Sequence, residues 1–303
     1  MGQLKPRFES TAAIVLCGGE SRRMGLPKAL LKFGETTFLE SVIAAVSDAC
    51  GTVIVVAAPD QTLQDLPGHV RVVHDPVPHR GPLTGITTGL AALPATAEYV
   101  YVTGTDTPLL RSAVVATMLD FALGHDLAIP FDGAHHQPLA AAYRVEFAMN
   151  RCRELIAQNR HRSMFLMENA DFVEVGLESL RTIDPELVSY RNVNSPADYR
   201  ALLEDYGLSV PIAFRAALVE VEFFGVPRLR AGTERVAVYA STVGELVTVL
   251  ARDFPDSNGA LIEAGRLHPA YMLIRGRSER LSSLDTPLFD ADRLQLVKLD
   301  AGA

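Results

Sequence analysis

Short apolar runs alternate with amphipathic ones over the first two-thirds of the chain. Residues 12–16, 52–57, 70–73, 99–103 and 127–129 are rich in Val and Ile with almost no polar interruption. That is the pattern of strands buried on both faces. Between and after them, residues 38–49, 84–93, 112–123 and 146–158 read as helices. In the first of these, Phe38, Leu39, Val42, Ile43 and Val46 recur at helical spacing. Strand, helix, strand in repetition predicts parallel units and a doubly wound α/β sheet. Ligands of such sheets bind beyond the carboxyl ends of the strands.

The pattern changes after a last helix, predicted over 197–206 behind the Ser195-Pro196 start signal. Gly207 and Pro211 mark a linker. The expected organisation is a first domain over 1–208, a linker over 209–216 and a second domain over 217–303. In the second, 218–224 and 235–239 read as strands, 242–254 as an amphipathic helix, and 271–274 and 294–299 as further strands. Val243, Leu246, Val247 and Leu250 would point inward from the helix. This predicts a small α+β domain with its own core.

Charge narrows the function. The chain has 303 residues, with 36 acidic against 28 basic side chains and a net charge of −8. That excludes a general nucleic-acid binder, whose surface must offset phosphate, but leaves room for a local cationic pocket. Three dispersed cysteines, Cys17, Cys50 and Cys152, form neither a disulfide framework nor a zinc motif. Cys17 is either a small buried thiol or a nucleophile, and its place after an apolar strand favours the first. The N-terminal residues carry no apolar signal core and no run reaches membrane-spanning length, so the expectation is a cytoplasmic protein without a membrane partner.

Four segments carry candidate chemistry. The first strand runs into Leu16-Cys17-Gly18-Gly19, then Arg22, Arg23, Gly25 and Lys28. The spacing is neither a Walker P-loop nor a dinucleotide fingerprint. Bare glycine backbone followed by three cations nevertheless suits phosphate; a glycine turn with solvated bases is the alternative. The fourth strand ends in Gly104-Thr105-Asp106-Thr107-Pro108. Asp106 could hold Mg²⁺, or make an Asx turn or helix cap. Asp75-Pro76 and Arg80-Gly81-Pro82-Leu83-Thr84-Gly85 bring an acid and a glycine-opened helix to the same edge, as a ligand cradle or a rigid connection. Asn192 and Asn194 share one face of an extended stretch, for ligand contact or capping. The adjacent His135 and His136 cannot readily share a metal and read as loop or rim residues. Arg160, His161 and Arg162 form a basic cluster, either facing an anion or solvated.

These segments, in this order and spacing over about residues 11–206, resemble the molybdenum cofactor guanylyltransferase family of Rossmann-like nucleotidyltransferases. The resemblance implies transfer of GMP from GTP to the phosphate of molybdopterin, with release of pyrophosphate and Mg²⁺ as cofactor. By position, Leu16, Cys17, Gly18 and Gly19 would line the nucleotide pocket. Lys28 would hold the phosphates, with Arg23 helping to offset charge on the departing pyrophosphate. Asp75 would contact the nucleotide, Asp106 would bind Mg²⁺, and Gly81, Pro82, Leu83 and Gly85 would border the guanine. Asn192 and Asn194 would lie on the pterin side. The chain departs from the family just after the second strand, where Ala57-Ala58-Pro59 offers no amide near the base. Cytidylyl or other NMP transfer, or a non-catalytic delivery adaptor, are the alternatives.

The second domain resembles a β-grasp, ubiquitin-like sulfur carrier, similar to the small subunit of molybdopterin synthase. The resemblance rests on residues 219–224, 242–254 and 284–294. Such carriers end in Gly-Gly, whereas this sequence reads Ala301-Gly302-Ala303. The expectation is therefore a docking or vestigial module that brings the transferase near molybdopterin synthase components, with sulfur carriage as the alternative.

Overall fold

The computed structural model describes residues 8–18, 27–76, 81–211, 214, 216–255, 262–263, 266–289 and 291–298, with backbone alone at 196, 197, 262 and 263. It divides into two compact units, with the change at Asn192/Val193.

In the first unit the strands are β1 (Thr11–Leu16), a small hairpin of β2 (Lys32–Phe33) and β3 (Thr36–Thr37), β4 (Thr52–Ala57), β5 (Val70–His74), β6 (Tyr99–Gly104), β7 (Leu127–Phe131), β8 (Ala140–Arg144) and β9 (Phe172–Gly176). The helices are α1 (Phe38–Ser47), α2 (Pro82–Ala91), α3 (Ser112–Ala122) and α4 (Val145–Ala157). The main sheet has the order β5-β4-β1-β6-β8-β7-β9. β1 pairs in parallel with β4 on one side and β6 on the other. The chain therefore reverses its direction of travel across the sheet at β1, which is where such sheets open a crevice.

Alternate residues of each strand face opposite layers. Ala13, Val15, Val53, Val55 and Tyr101 pack with residues of α1 and α3 in one buried cluster. Ala12, Ile14, Ile54, Val56, Val100 and Val102 pack with residues of α2 and α4 in the other. Over β1, β4 and β6 both faces are covered, so these strands read as continuous apolar runs; β5, expected to be buried on both faces, is instead an edge strand flanked only by β4, with Arg71, Val72 and His74 exposed.

The apolar pattern does not announce two strands of this sheet, β8 and the edge strand β9. β8 runs antiparallel between β6 and β7, so the sheet is mixed rather than all parallel. Its sequence, Ala-Ala-Ala-Tyr-Arg, lacks the β-branched residues that mark a strand, yet its three alanines and Tyr143 are buried. Small side chains fit where both layers press close. Helix starts follow local chemistry. Thr37 and Glu40 form a capping box at α1, with Thr37 N–H donating to Glu40 Oε2 at 2.6 Å and Glu40 N–H donating to Thr37 Oγ1 at 3.2 Å.

The second unit contains α5 (Pro196–Asp205), β10 (Ala217–Phe223), α6 (Val226–Ala231), β11 (Arg235–Ala240), α7 (Val243–Asp253), a short pair β12 (Ile262–Glu263) and β13 (Arg266–Leu267), β14 (Tyr271–Arg275), β15 (Glu279–Leu281) and β16 (Arg293–Lys298). Its larger sheet has the order β11-β10-β16-β14-β15. β16 lies parallel to β10 and antiparallel to β14. One core forms from Val219, Val221 and Phe223 of β10 with Val243, Leu246, Val247 and Leu250 of α7. Ser195 caps α5 in a box with Asp198, as the Ser-Pro signal predicts. The Arg200 guanidinium then reaches Glu245 Oε1 at 2.5 Å, fastening α5 to the start of α7.

Candidate active site

Leu16, Cys17, Gly18, Asp75 and Asp106 lie at the carboxyl edge of the first sheet because each ends or closely follows one of the parallel strands β1, β5 and β6. Leu16 closes β1, and Cys17 continues its ladder by donating its N–H to Val56 O at 2.8 Å. A side chain on Gly18 would place its Cβ 2.7 Å from the Ala58 nitrogen, so only glycine lets β1 leave the sheet this close to the end of β4. Gly19 and Arg23, together with Arg22, lie outside the described residues.

Lys28 and Asp106 meet at this edge. The Lys28 ammonium is 3.9 Å from Asp106 Oδ2, with the lysine side chain 18% and the aspartate 34% exposed. This is an ion-pair distance, longer than a hydrogen bond. Asp106 is not the cap of the following helix, since Arg111 occupies that position before α3.

Asp75 follows β5 and donates its N–H to Ala57 O at 2.9 Å. Its carboxylate lies against the first turn of α2, where Thr84 Oγ1 sits 2.9 Å from Asp75 Oδ2 and 3.0 Å from Gly81 O. Partial positive charge at a helix start favours a carboxylate there. Gly81 has φ 91°, a left-handed conformation suited to glycine, and Pro82 holds the first helical position. Leu83 is fully buried. A Cβ on Gly85 would sit 3.2 Å from Leu16 and 3.7 Å from Asp75 Oδ2, so its bareness makes room for both. Leu16, Gly18, Asp75 and Gly85 are thus one neighbourhood.

Asn192 is the last residue of the first unit, and Asn194 is the second residue of the segment 193–303 that belongs to the second. The Asn194 N–H donates to Asp198 at 2.9 Å, part of the α5 capping arrangement. His136 forms a bridge to Phe131 and bonds Glu174 Oε2 at 2.6 Å, consistent with its reading as a loop residue. Arg160 pairs with both oxygens of Glu168, at 2.8 and 2.5 Å, and covers the Phe165 ring. Cys17 is buried, and burial pushes its thiol up to about 11, which suits a packed thiol rather than a nucleophile.

Two polar residues at this edge escaped sequence reasoning. Thr84 sits inside the glycine-rich motif, three residues into α2, a spacing that could have signalled its reach back toward Asp75. Gln61 supplies an amide where 57–59 has none. Its Oε1 accepts the Ala58 N–H at 3.1 Å and its Nε2 donates to Cys17 Sγ at 3.2 Å. The turn from Ala58 to Gln61, closed by Gln61 N–H to Ala58 O at 3.1 Å, folds it back.

Among the described residues, no group of three or more His, Cys, Asp or Glu could form an all-protein metal cage. Asp106 alone still fits Mg²⁺, which is commonly held by one or two carboxylates together with substrate phosphates and water. Among the described residues, no helix is long and apolar enough to cross a membrane.

A doubly wound α/β sheet with a lysine, two carboxylates and a glycine-opened helix along its carboxyl edge defines a nucleotide-handling domain. The family profile described as the MobA-like NTP transferase domain matches residues 13–172. The chain belongs to this family, and it is a nucleotidyltransferase. A Mycobacterium avium protein named "Probable molybdenum cofactor guanylyltransferase" is 35% identical over 198 residues, spanning 64% of this chain and 95% of its own length. Molybdopterin-guanine dinucleotide biosynthesis protein A from Archaeoglobus fulgidus shares the fold with a TM-score of 0.55 at 23% identity, over 65% of this chain and 98% of that one. The fold also recurs in 4-diphosphocytidyl-2C-methyl-D-erythritol synthase from Anaerococcus prevotii, with a TM-score of 0.54 at 14% identity, covering 66% and 96% of the two chains.

Proposed function

We propose that this chain transfers GMP from GTP to the terminal phosphate of molybdopterin or its molybdenum form, releasing pyrophosphate. The similarity to guanylyltransferases supports the substrate pair. The observation that carries the chemistry is the approach of Lys28, on the short turn of residues 28–30, to within 3.9 Å of Asp106, just after β6. A pterin phosphate oxygen attacks the α-phosphorus of GTP, and the bond from that phosphorus to the β-phosphate oxygen breaks. The attacking oxygen is already ionised near neutral pH, so alignment and charge neutralisation dominate over general-base catalysis.

Lys28, with Arg23, offsets charge on the leaving pyrophosphate. Asp106 would hold Mg²⁺, which when bound supplies further neutralisation of the triphosphate. Leu16, Cys17, Gly18 and Gly19 line the nucleoside, Asp75 contacts it, and Gly81, Pro82, Leu83 and Gly85 border the guanine. Asn192 and Asn194 serve the pterin side. Pyrophosphate release with molybdopterin and each of GTP, CTP and UTP tests the reading. GTP should be preferred, and a preference for CTP, or no release with any of them, would overturn it.

The second unit is read as a β-grasp-like docking module following the transferase domain of residues 1–208. The β10–β11 hairpin, the α7 cover and the placement of β16 beside and parallel to β10 support this. Titration of the purified protein with the large subunit of molybdopterin synthase should give saturable heat. A flat titration removes the docking role.

A further inference from the structure

Gln61 joins three strand ends at the ligand edge. Its side chain spans Ala58, just after β4, and Cys17, just after β1. Its carbonyl lies 3.3 Å from Nε2 of His74, the last residue of β5. The β1–β4 ladder continues to Cys17 N–H on Val56 O; the Ala58 N–H beyond it is taken by the Gln61 carboxamide. The two backbones separate at this point, and Gly18 shows how tightly, since even a methyl group would meet the Ala58 nitrogen. A side-chain amide with one acceptor and one donor can hold both sides of such a junction at once. The thiol it donates to is buried and neutral, so it remains a fixed acceptor rather than a titrating one.

We propose that Gln61 is a positioning residue for the nucleotide: its carboxamide locks the end of β1 to the end of β4 and so sets the ledge formed by Leu16, Cys17 and Gly18. The inference rests on the reading of those three residues as nucleotide-lining. Gln61 acts through them and is not itself placed against the substrate. Losing the clamp leaves the chemistry at Lys28 and Asp106 in place but lets the ledge shift, so nucleotide binding weakens while turnover at saturation persists.

The test is steady-state kinetics on Gln61→Ala and Gln61→Glu, with GTP binding measured separately by calorimetry. Gln61→Ala should raise KM and Kd for GTP about tenfold, with kcat and the KM for molybdopterin within twofold. Gln61→Glu keeps an acceptor for Ala58 but loses the donor to Cys17, so it should fall between wild type and Gln61→Ala. A purely structural role would instead reduce the folded, active fraction, lowering kcat and leaving KM unchanged; that result overturns the proposal, as does an unchanged Kd. In a double-mutant cycle with Cys17→Ala, the two effects on Kd should be non-additive, and additivity would show that the thiol contact does not transmit the effect. Wild-type turnover separates the two readings. If wild type does not use GTP, the proposed function fails first. If wild type uses GTP and Gln61→Ala binds it equally well, only the clamp fails.

Discussion

The two larger sheets of this chain are covered differently, and the contrast explains where the chemistry sits. The seven-stranded sheet packs against helices on both faces, and sheets of this kind take their ligands at the carboxyl ends of the strands. The five-stranded sheet has one core, under α7. Its outer face carries Leu218 and Tyr239 as register partners, 41% and 67% exposed. Along β10, buried and exposed residues alternate, whereas β1 and β4 are apolar nearly throughout. Enclosure on two faces concentrates function at strand ends; cover on one face leaves a surface.

The largest expected effect separates the edge from both cores. Asp106→Asn should lower kcat for pyrophosphate release by about 10²–10³, the scale of removing one electrostatic element of an active site. Melting should be unchanged, and an active Asp106→Asn enzyme would break the assignment of chemistry to this edge. Next, Leu246→Ala removes a fully buried α7 residue from the single core of the second unit. It should cost about 2–5 kcal/mol in urea unfolding of that unit, with GTP turnover retained. Loss of turnover in step with that unfolding would show that the two cores do not act separately.

A smaller effect probes the edge itself. Thr84→Val keeps shape but removes the hydroxyl beside Asp75. It should lower kcat/KM for GTP by about fivefold, with Thr84→Ser restoring it. Equal loss in Thr84→Ser would point to packing instead.

The smallest effect is set by pH. Hydrogen bonds from Thr37 backbone and side chain hold the Glu40 carboxyl below its ordinary range. A lowered folded-state pKa contributes stability that is present above the unfolded value and lost as pH falls through the folded one. Glu40→Gln should therefore cost at most about 1 kcal/mol near neutral pH and flatten the acid-side decline in melting temperature. An unchanged acid limb would remove Glu40 as a contributor.

Much of this contrast is legible in the chain. Continuous apolar runs identify the covered strands β1, β4 and β6 but also mark β5, which is an exposed edge strand, and Ser195-Pro196 identifies the start of α5. The glycine and acid motifs fall after strand ends as their residue types suggest. What escapes has physical reasons. β8 is built from alanine, whose weak strand preference is overridden by the need for small side chains between two layers. Gln61 reaches its partners through a turn, so its separation from Cys17 by 44 positions conceals the contact. The grouping of α5 with the second unit follows from packing and from the Arg200–Glu245 pair, neither of which has a local signature.

The cysteines have a practical meaning. Cys17, Cys50 and Cys152 are all buried, and burial raises their thiols to about 11, 12 and 11. At pH 8 only about one thiol in a thousand is thiolate when the pKa is 11, and the thiolate is the form that alkylating reagents attack. Modification then proceeds only as fast as the surrounding structure opens. Cys17 reports on the ligand edge, Cys50 on the α1 and α3 layer, and Cys152 on the α2 and α4 layer. The chain carries three internal clocks, readable by mass spectrometry, that would time the opening of its edge against each of its layers.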